Sequence, residues 1–327
     1  MGQNVSGPRV PDSESRALHD LFTALRNKPH RLVRSSLPLQ TNVQPVTHDW
    51  TGISVEMGHV VAIELPKSNL HGELPASIEQ LTYLRVLNLS SNEIHGEIPP
   101  AMGKLRRLTV LDLSCNNLKG ALPEEITNCI HLKHLSLQQN ALHGPLPTSL
   151  GKLQRLKSLS LEFNSFSGPL PESITDMASL ERLNVRSNCL NGAIPADIGR
   201  LGQLKFVSLR NNALRGSIPE SFGQCALLSF LNLSSNNLTG DVPRTLLQCA
   251  NLKHLYLFGN ALAFNAILEE LQPLVQLQER DIRLQKLHQS GVDGAAVYLR
   301  HGSLVSRHHE ARELAPRPDK QDTATVV

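Results

Sequence analysis

Apolar residues recur along this chain with two superposed rhythms. Over short stretches they alternate with polar ones, as at Leu132, Leu135 and Leu137, which predicts a strand with one buried face. Over longer distances that stretch returns every 24 residues without slippage, at Leu84, Leu108, Leu132, Leu156, Leu180, Leu204, Leu228 and Leu252. An Asn stands eight residues into every one of these units, from Asn92 to Asn260. Seven of them carry Gly twelve residues in, from Gly96 to Gly240, and Pro fifteen residues in, from Pro99 to Pro243. An earlier unit from Val60 keeps Gly72 and Pro75 but has Ser68 where the Asn belongs. A unit copied at fixed spacing predicts a solenoid whose strands stack about 4.8 Å apart in a parallel sheet.

Each column has a physical task. The Asn ends the strand and offers an amide that hydrogen-bonds backbone groups of adjacent coils, which otherwise lack partners at that bend. The Gly permits a turn that a Cβ obstructs. The Pro fixes φ on the return side, and a final apolar pair, such as Ile126 with Cys129 or Ile198 with Leu201, closes the coil below a short helical turn. The complete unit, L-x-x-L-x-L-x-x-N-x-L-x-G-x-[IL]-P-x-x-[IL]-x-x-L, resembles the plant-type leucine-rich repeat over residues 60–262. The resemblance implies an α/β solenoid: a right-handed superhelix with a concave parallel β-sheet, short convex helical or 3-10 turns and helical caps at both ends. It also implies protein recognition as the usual work.

The ends depart from the repeat. Leu18, Leu21, Phe22 and Leu25 recur at helical spacing before Pro29, and Trp50-Thr51-Gly52-Ile53 with Gly58-His59-Val60 resembles the family's N-terminal cap. That cap has two bridged cysteines in the family; His48 and Val55 stand there here, which fits a reducing compartment. Beyond Asn260, Phe264 replaces the Gly and Ile267 the Pro, and Ile267, Leu271, Leu274, Leu277, Ile282, Leu284 and Leu287 among polar residues predict one or two amphipathic helices over 264–290. These would cap the open end of the solenoid. The expected organisation is a disordered 1–12, an N-terminal cap over 13–59, repeats over 60–263, the helical cap over 264–290 and a mostly disordered 291–327.

Composition narrows the function classes. The chain of 327 residues holds 57 Leu but only 8 Phe, 3 Tyr and 1 Trp, so its core is built from Leu. A net charge of +3 is near neutral and argues against a nucleic-acid binder, which normally shows a basic face. The 5 Cys show neither C-x-x-C nor a metal spacing, and Cys129, Cys225 and Cys249 occupy the closing apolar column as small hydrophobes. No catalytic constellation, phosphate loop, cofactor site or small-molecule site is expected; the 14 His fall by repeat position without converging.

Two features suggest partners. The opening Met1-Gly2-Gln3-Asn4-Val5-Ser6 fits the N-myristoylation pattern with Gly2 as acceptor. One acyl chain binds membranes only marginally, and Arg26, Lys28, Arg31 and Arg34 offer a second signal toward an anionic leaflet. Residues 1–20 show no secretory pattern, so a cytoplasmic, peripherally membrane-associated protein is expected. The second feature is on the outward strand positions, small and polar in the early units. Later they become Gln138, Glu162, Phe163, Arg182, Arg186, Phe206, Arg210, Phe230, His254, Tyr256 and Phe258. Aromatic residues and Arg dominate binding hot spots, so this patch is the candidate surface for a protein partner. The expected function is a non-catalytic adaptor or regulator in signalling; the alternative is a secreted recognition protein or inhibitor of a cell-wall hydrolase.

Overall fold

The computed structural model describes residues 10–27, 52–263, 281–285, 296–300 and 303–306. The period of 24 residues becomes a solenoid in which each coil contributes one strand to each of two sheets and then a 3-10 turn. The principal sheet starts with the antiparallel hairpin Ile53–Glu56 and His59–Glu64, then continues through parallel strands from Val86–Asn88 to His254–Tyr256. Its register pairs every residue with the one 24 positions on, such as Val86 with Val110 and Phe206 with Phe230. Equivalent positions are therefore stacked in columns. The second sheet has ten strands, from Leu25–Asn27 to Ala261–Ala263.

The Leu columns fill the interior: Leu132, Leu135, Leu137 and Leu142 of one coil are fully buried, as are their counterparts in neighbouring coils. The Asn column forms the expected ladder. Asn116 Nδ2 donates to Leu89 O and Leu113 O, both at 3.0 Å, while its Oδ1 accepts from Ile94 N at 3.0 Å. Each Asn thus ties its own coil to the one before it. Gly96 adopts φ +79°, the left-handed turn foreseen for its column. A second glycine column is a matter of space alone: a Cβ on Gly199 would lie 2.1 Å from the Ser221 carbonyl of the next coil.

At the N-terminal end, α1 (Asp12–Ala24) buries Ala17, Leu18 and Leu21 against the first coils. It ends before Leu25, earlier than Pro29 suggested, because Leu25–Asn27 pairs antiparallel with Leu70–Glu73. Glu14 on the buried side of α1 accepts from Val60 N at 2.8 Å and lies 2.7 Å from His59 Nδ1, so its carboxylate is satisfied. Val55, expected in place of a cap cysteine, stands in the first hairpin strand; His48, Trp50 and Pro29 lie outside the described residues.

The C-terminal end differs from expectation. Asp281–Gln285 is a strand, pairing parallel with His254–Tyr256, rather than part of a helix. Ile282 and Leu284 alternate with polar neighbours, and the last repeat strand offers an open ladder of backbone donors and acceptors. Inside the stretch expected to be disordered, Ala296–Arg300 and Ser303–Ser306 extend the same sheet antiparallel. Ala-Val-Tyr-Leu and Ser-Leu-Val are apolar enough for strands, which the polar average of the tail concealed. The remainder of the 264–290 cap lies outside the described residues.

Candidate functional site

Three columns of the principal sheet face outward in each coil, and their contents change along the solenoid. In the early coils the middle and third columns satisfy themselves. Asn88 Oδ1 accepts from Ser90 Oγ at 2.8 Å, and Asp112 Oδ1 accepts from Ser114 Oγ at 2.6 Å and Ser114 N at 3.0 Å.

From Arg182 onward the first column becomes a continuous stack. The Arg182 guanidinium carbon lies 3.7 Å from the Phe206 ring centre, and Phe206 stacks on Phe230 at 4.4 Å with planes 8° apart. Phe230 meets His254 at 5.7 Å and Tyr256 at 5.5 Å, and these last two rings are parallel at 6.3 Å. The 24-residue register sets Arg182, Phe206, Phe230 and His254 on adjacent strands at one height, while Tyr256 stands one column over, in line with Asn232, and reaches across to Phe230. Opposite runs a second rail: Arg186 over Phe163 at 4.8 Å and Arg210 6.0 Å from the Phe258 ring. Gln138 and Glu162 continue this column toward the N-terminus. Between the rails, Ser160, Asn184, Ser208 and Asn232 form a buried polar floor.

The expected patch therefore divides into two rails on either side of this polar floor. Arg182, Phe206 and Phe230 belong to the first, with Tyr256 rising at the end of the floor column against Phe230; Gln138, Glu162, Phe163, Arg186, Arg210 and Phe258 belong to the second. His254 completes the first rail. Gln138 Oε1, Arg186 Nε and His254 Nδ1 are enclosed yet make no hydrogen bond among the described residues. Ser77 Oγ, away from this face, shares that state.

Phe163 carries a backbone signature that the repeat pattern did not announce. The residue before each ladder Asn is left-handed, with φ between 54° and 56° at Ser91, Cys115, Gln139, Phe163, Ser187, Asn211 and Ser235. Small or polar residues fill that column except at Phe163, where φ is 56° and the ring is 44% exposed. A bulky side chain is costly in this conformation, and such strain collects where function retains it.

The five cysteines are free thiols. Cys129 and Cys225 are pushed up to about 12 and Cys249 to about 11, chiefly by burial. Among the described residues no group of three or more His, Cys, Asp or Glu is placed to hold a metal ion. No helix among them is long and apolar enough to cross a membrane. Gly2, Lys28, Arg31 and Arg34 lie outside the described residues, as does the Arg26 side chain.

Leucine rich repeat family models match residues 106–166, 154–214 and 202–262, and a further one matches 83–105, together more than half of the chain. No curated protein matches the chain significantly. Solved structures do. The ectodomain of the membrane receptor kinase GASSHO1/SCHENGEN3 from Arabidopsis thaliana, in complex with CASPARIAN STRIP INTEGRITY FACTOR 2, is 30% identical over 76% of this chain and 33% of that one, with a TM-score of 0.68. The plant peptide hormone receptor RGFR1 in complex with RGF2 is 36% identical over 59% of this chain and 31% of that one, TM-score 0.58. The Arabidopsis receptor kinase HAESA, with the peptide hormone IDA and the co-receptor SERK1, is 34% identical over 59% of this chain and 32% of that one, TM-score 0.58. The chain thus spans about a third of the length of these solved relatives.

Proposed function

The chain belongs to the leucine-rich-repeat family, and from that premise we infer that it is a non-catalytic recognition module whose concave face holds a protein or peptide partner between the two rails of residues 138–258. The observation that carries this is the unbroken stack Arg182–Phe206–Phe230–His254/Tyr256 beside a row holding Arg186 and Arg210. Preassembled rings and guanidinium groups offer apolar area and fixed donors without the entropy of ordering them on contact. The family neighbours named above are in complex with peptides or proteins, and the rails, four residues or about 13 Å apart along each strand, leave room for an extended segment between them.

The setting we favour is the cytoplasmic face of a membrane, with Gly2 acylated and Arg26, Lys28, Arg31 and Arg34 supplementing the acyl chain, in an adaptor or regulator of signalling. The free thiols and the Val55 expected in place of a cap cysteine support a reducing environment. A secreted recognition protein or hydrolase inhibitor is the second reading, and the likeness to receptor ectodomains favours it. Affinity purification of full chains from their own cells separates these readings. The partner captured by the parent is expected to be lost from Arg186→Glu/Arg210→Glu and kept by Asn88→Ala, while Gly2→Ala shifts the chain from membrane to cytosol. Unchanged capture by the double variant would sink the binding-face assignment, and unchanged distribution of Gly2→Ala would sink the lipid.

A further inference from the structure

A different surface lies along the rim from which the strands of the principal sheet start. In coils between Arg85 and Lys157 this rim carries Arg85, Arg106, Arg107, Lys133, Arg155 and Lys157, all exposed. Stacked at the spacing of a parallel sheet, they form a belt about 15 Å long. Ring contacts brace it: His59 stacks on Tyr83 at 3.6 Å, and the Arg107 guanidinium lies 4.1 Å from the Tyr83 centre. Arg155 Nη1 donates to His131 Nδ1 at 3.1 Å. Acids meet the belt at its two ends, where Glu56 pairs with Arg85 and Glu181 with Lys157 at 3.2 Å. Between them Arg106, Arg107, Lys133 and Arg155 have no ion-pair partner among the described residues.

Two large apolar side chains break the surface in the same place. Ile130 is 49% exposed, at the loop position held by Arg106 one coil earlier. Met57 is 93% exposed in the hairpin turn before His59, and lines a depression of about 330 Å³ with Tyr83, Arg85 and Arg107. In the later coils the positions equivalent to Arg106 and Arg107 hold Ala178, Ser179, Gly202, Gln203, Ala226, Leu227, Ala250 and Asn251, and those equivalent to Lys133 hold Glu181, Lys205, Ser229 and Lys253, of which Lys205 is paired with Glu181.

We propose that this rim is a docking surface for an anionic lipid bilayer. Four uncompensated cations side by side repel one another, and a dense sheet of anionic headgroups relieves that repulsion. Exposed aliphatic groups among the cations suit the boundary between headgroups and acyl chains, where a soluble polyanion gives them nothing. Stacking with nucleobases needs open ring faces, and the Tyr83 ring is engaged by His59 and Arg107. Acylation of Gly2 plays no part in this contact.

The test uses the full chain made without acylation, sedimented with vesicles of phosphatidylcholine alone or of phosphatidylcholine with phosphatidylserine. Binding is expected only with phosphatidylserine, and is expected to fade as salt rises. R106Q/K133Q/R155Q should lower the partition coefficient about a hundredfold, about fivefold for each cation. Arg26, Lys28, Arg31 and Arg34 stay intact in both chains, so the difference reports the rim. Ile130→Asn should lower binding several-fold, and Leu227→Asn should leave it unchanged. No binding by the parent, or equal binding by the triple variant, would overturn the proposal. So would binding indifferent to Ile130→Asn while polyglutamate or RNA binds equally well at the same salt, which marks a generic polyanion site. Either failure leaves the Gly2 assignment standing, because the chain tested carries no lipid.

Discussion

The early and late coils of this solenoid share one interior and differ on their surfaces. Asn116 in an early coil and Asn212 in a late one make the same bonds: Asn212 Nδ2 donates to Val185 O and Leu209 O at 3.0 Å, matching Asn116 on Leu89 O and Leu113 O. Outside, the early coils present a quiet sheet of short polar groups and a basic rim. The late coils present an aromatic and Arg-lined face and a rim of mostly small neutral residues. In a repeat protein the core columns are fixed by stacking, while each outward position belongs to one coil alone and is free to vary. Specialisation therefore collects in the outward columns.

The largest expected effect tests the shared part. Asn116→Ala and Asn212→Ala each leave buried backbone groups without partners and should each cost about 3 kcal/mol in chemical denaturation. Similar losses in both halves support a uniform spine; a large loss in only one half breaks the comparison. Next comes the face. Phe230→Ala removes the middle of the stack and should weaken partner binding by about 2 kcal/mol or more, whereas Val110→Ala in the same column should leave affinity unchanged by calorimetry.

Smaller and of opposite sign is the change at the strained position. Phe163→Asn places a residue tolerant of left-handed backbone where the ring stood, and should raise stability by about 1 kcal/mol while lowering partner affinity. A fall in stability would mean that the packing of Phe163 under Arg186 outweighs its backbone cost. The smallest effect reads the basic rim. His134 has its pKa lowered by burial first and then by Lys157 and Lys133. Its folded midpoint therefore lies below that of the unfolded chain, so the unfolded state binds the proton more readily. The associated contribution to stability is lost as pH falls below the usual imidazole range. Lys133→Gln/Lys157→Gln should raise the His134 midpoint in an NMR titration, and an unmoved midpoint would mean the rim charges are screened at that ring.

Much of this was legible in the sequence because a period of 24 residues fixes which positions share a column. The Leu interior, the Asn ladder and the outward patch over residues 138–258 follow from counting alone; its division into two rails does not. Phe163 was recognisable as an outward aromatic, but its left-handed backbone was not, since the column tolerates Ser, Cys, Gln and Asn and leaves no compositional mark. Glu14 was hidden because its partners lie 45 and 46 residues away, although an acid on the apolar side of an amphipathic helix was the available clue. The strand Asp281–Gln285 was misread as helix because helical spacing at Ile267, Leu271 and Leu274 was carried forward into an alternating segment. An open sheet edge decided that segment's conformation, and local spacing does not encode it.

The recognition face is tested most directly by hydroxyl-radical footprinting of the full chain with and without its captured partner. Protection concentrated at Phe163, Phe206, Phe230, Tyr256 and Phe258, with Val86, Val110 and His134 unchanged, is the predicted result. Unprotected rings in the late coils together with protection over Val86, Val110 and His134 would contradict it.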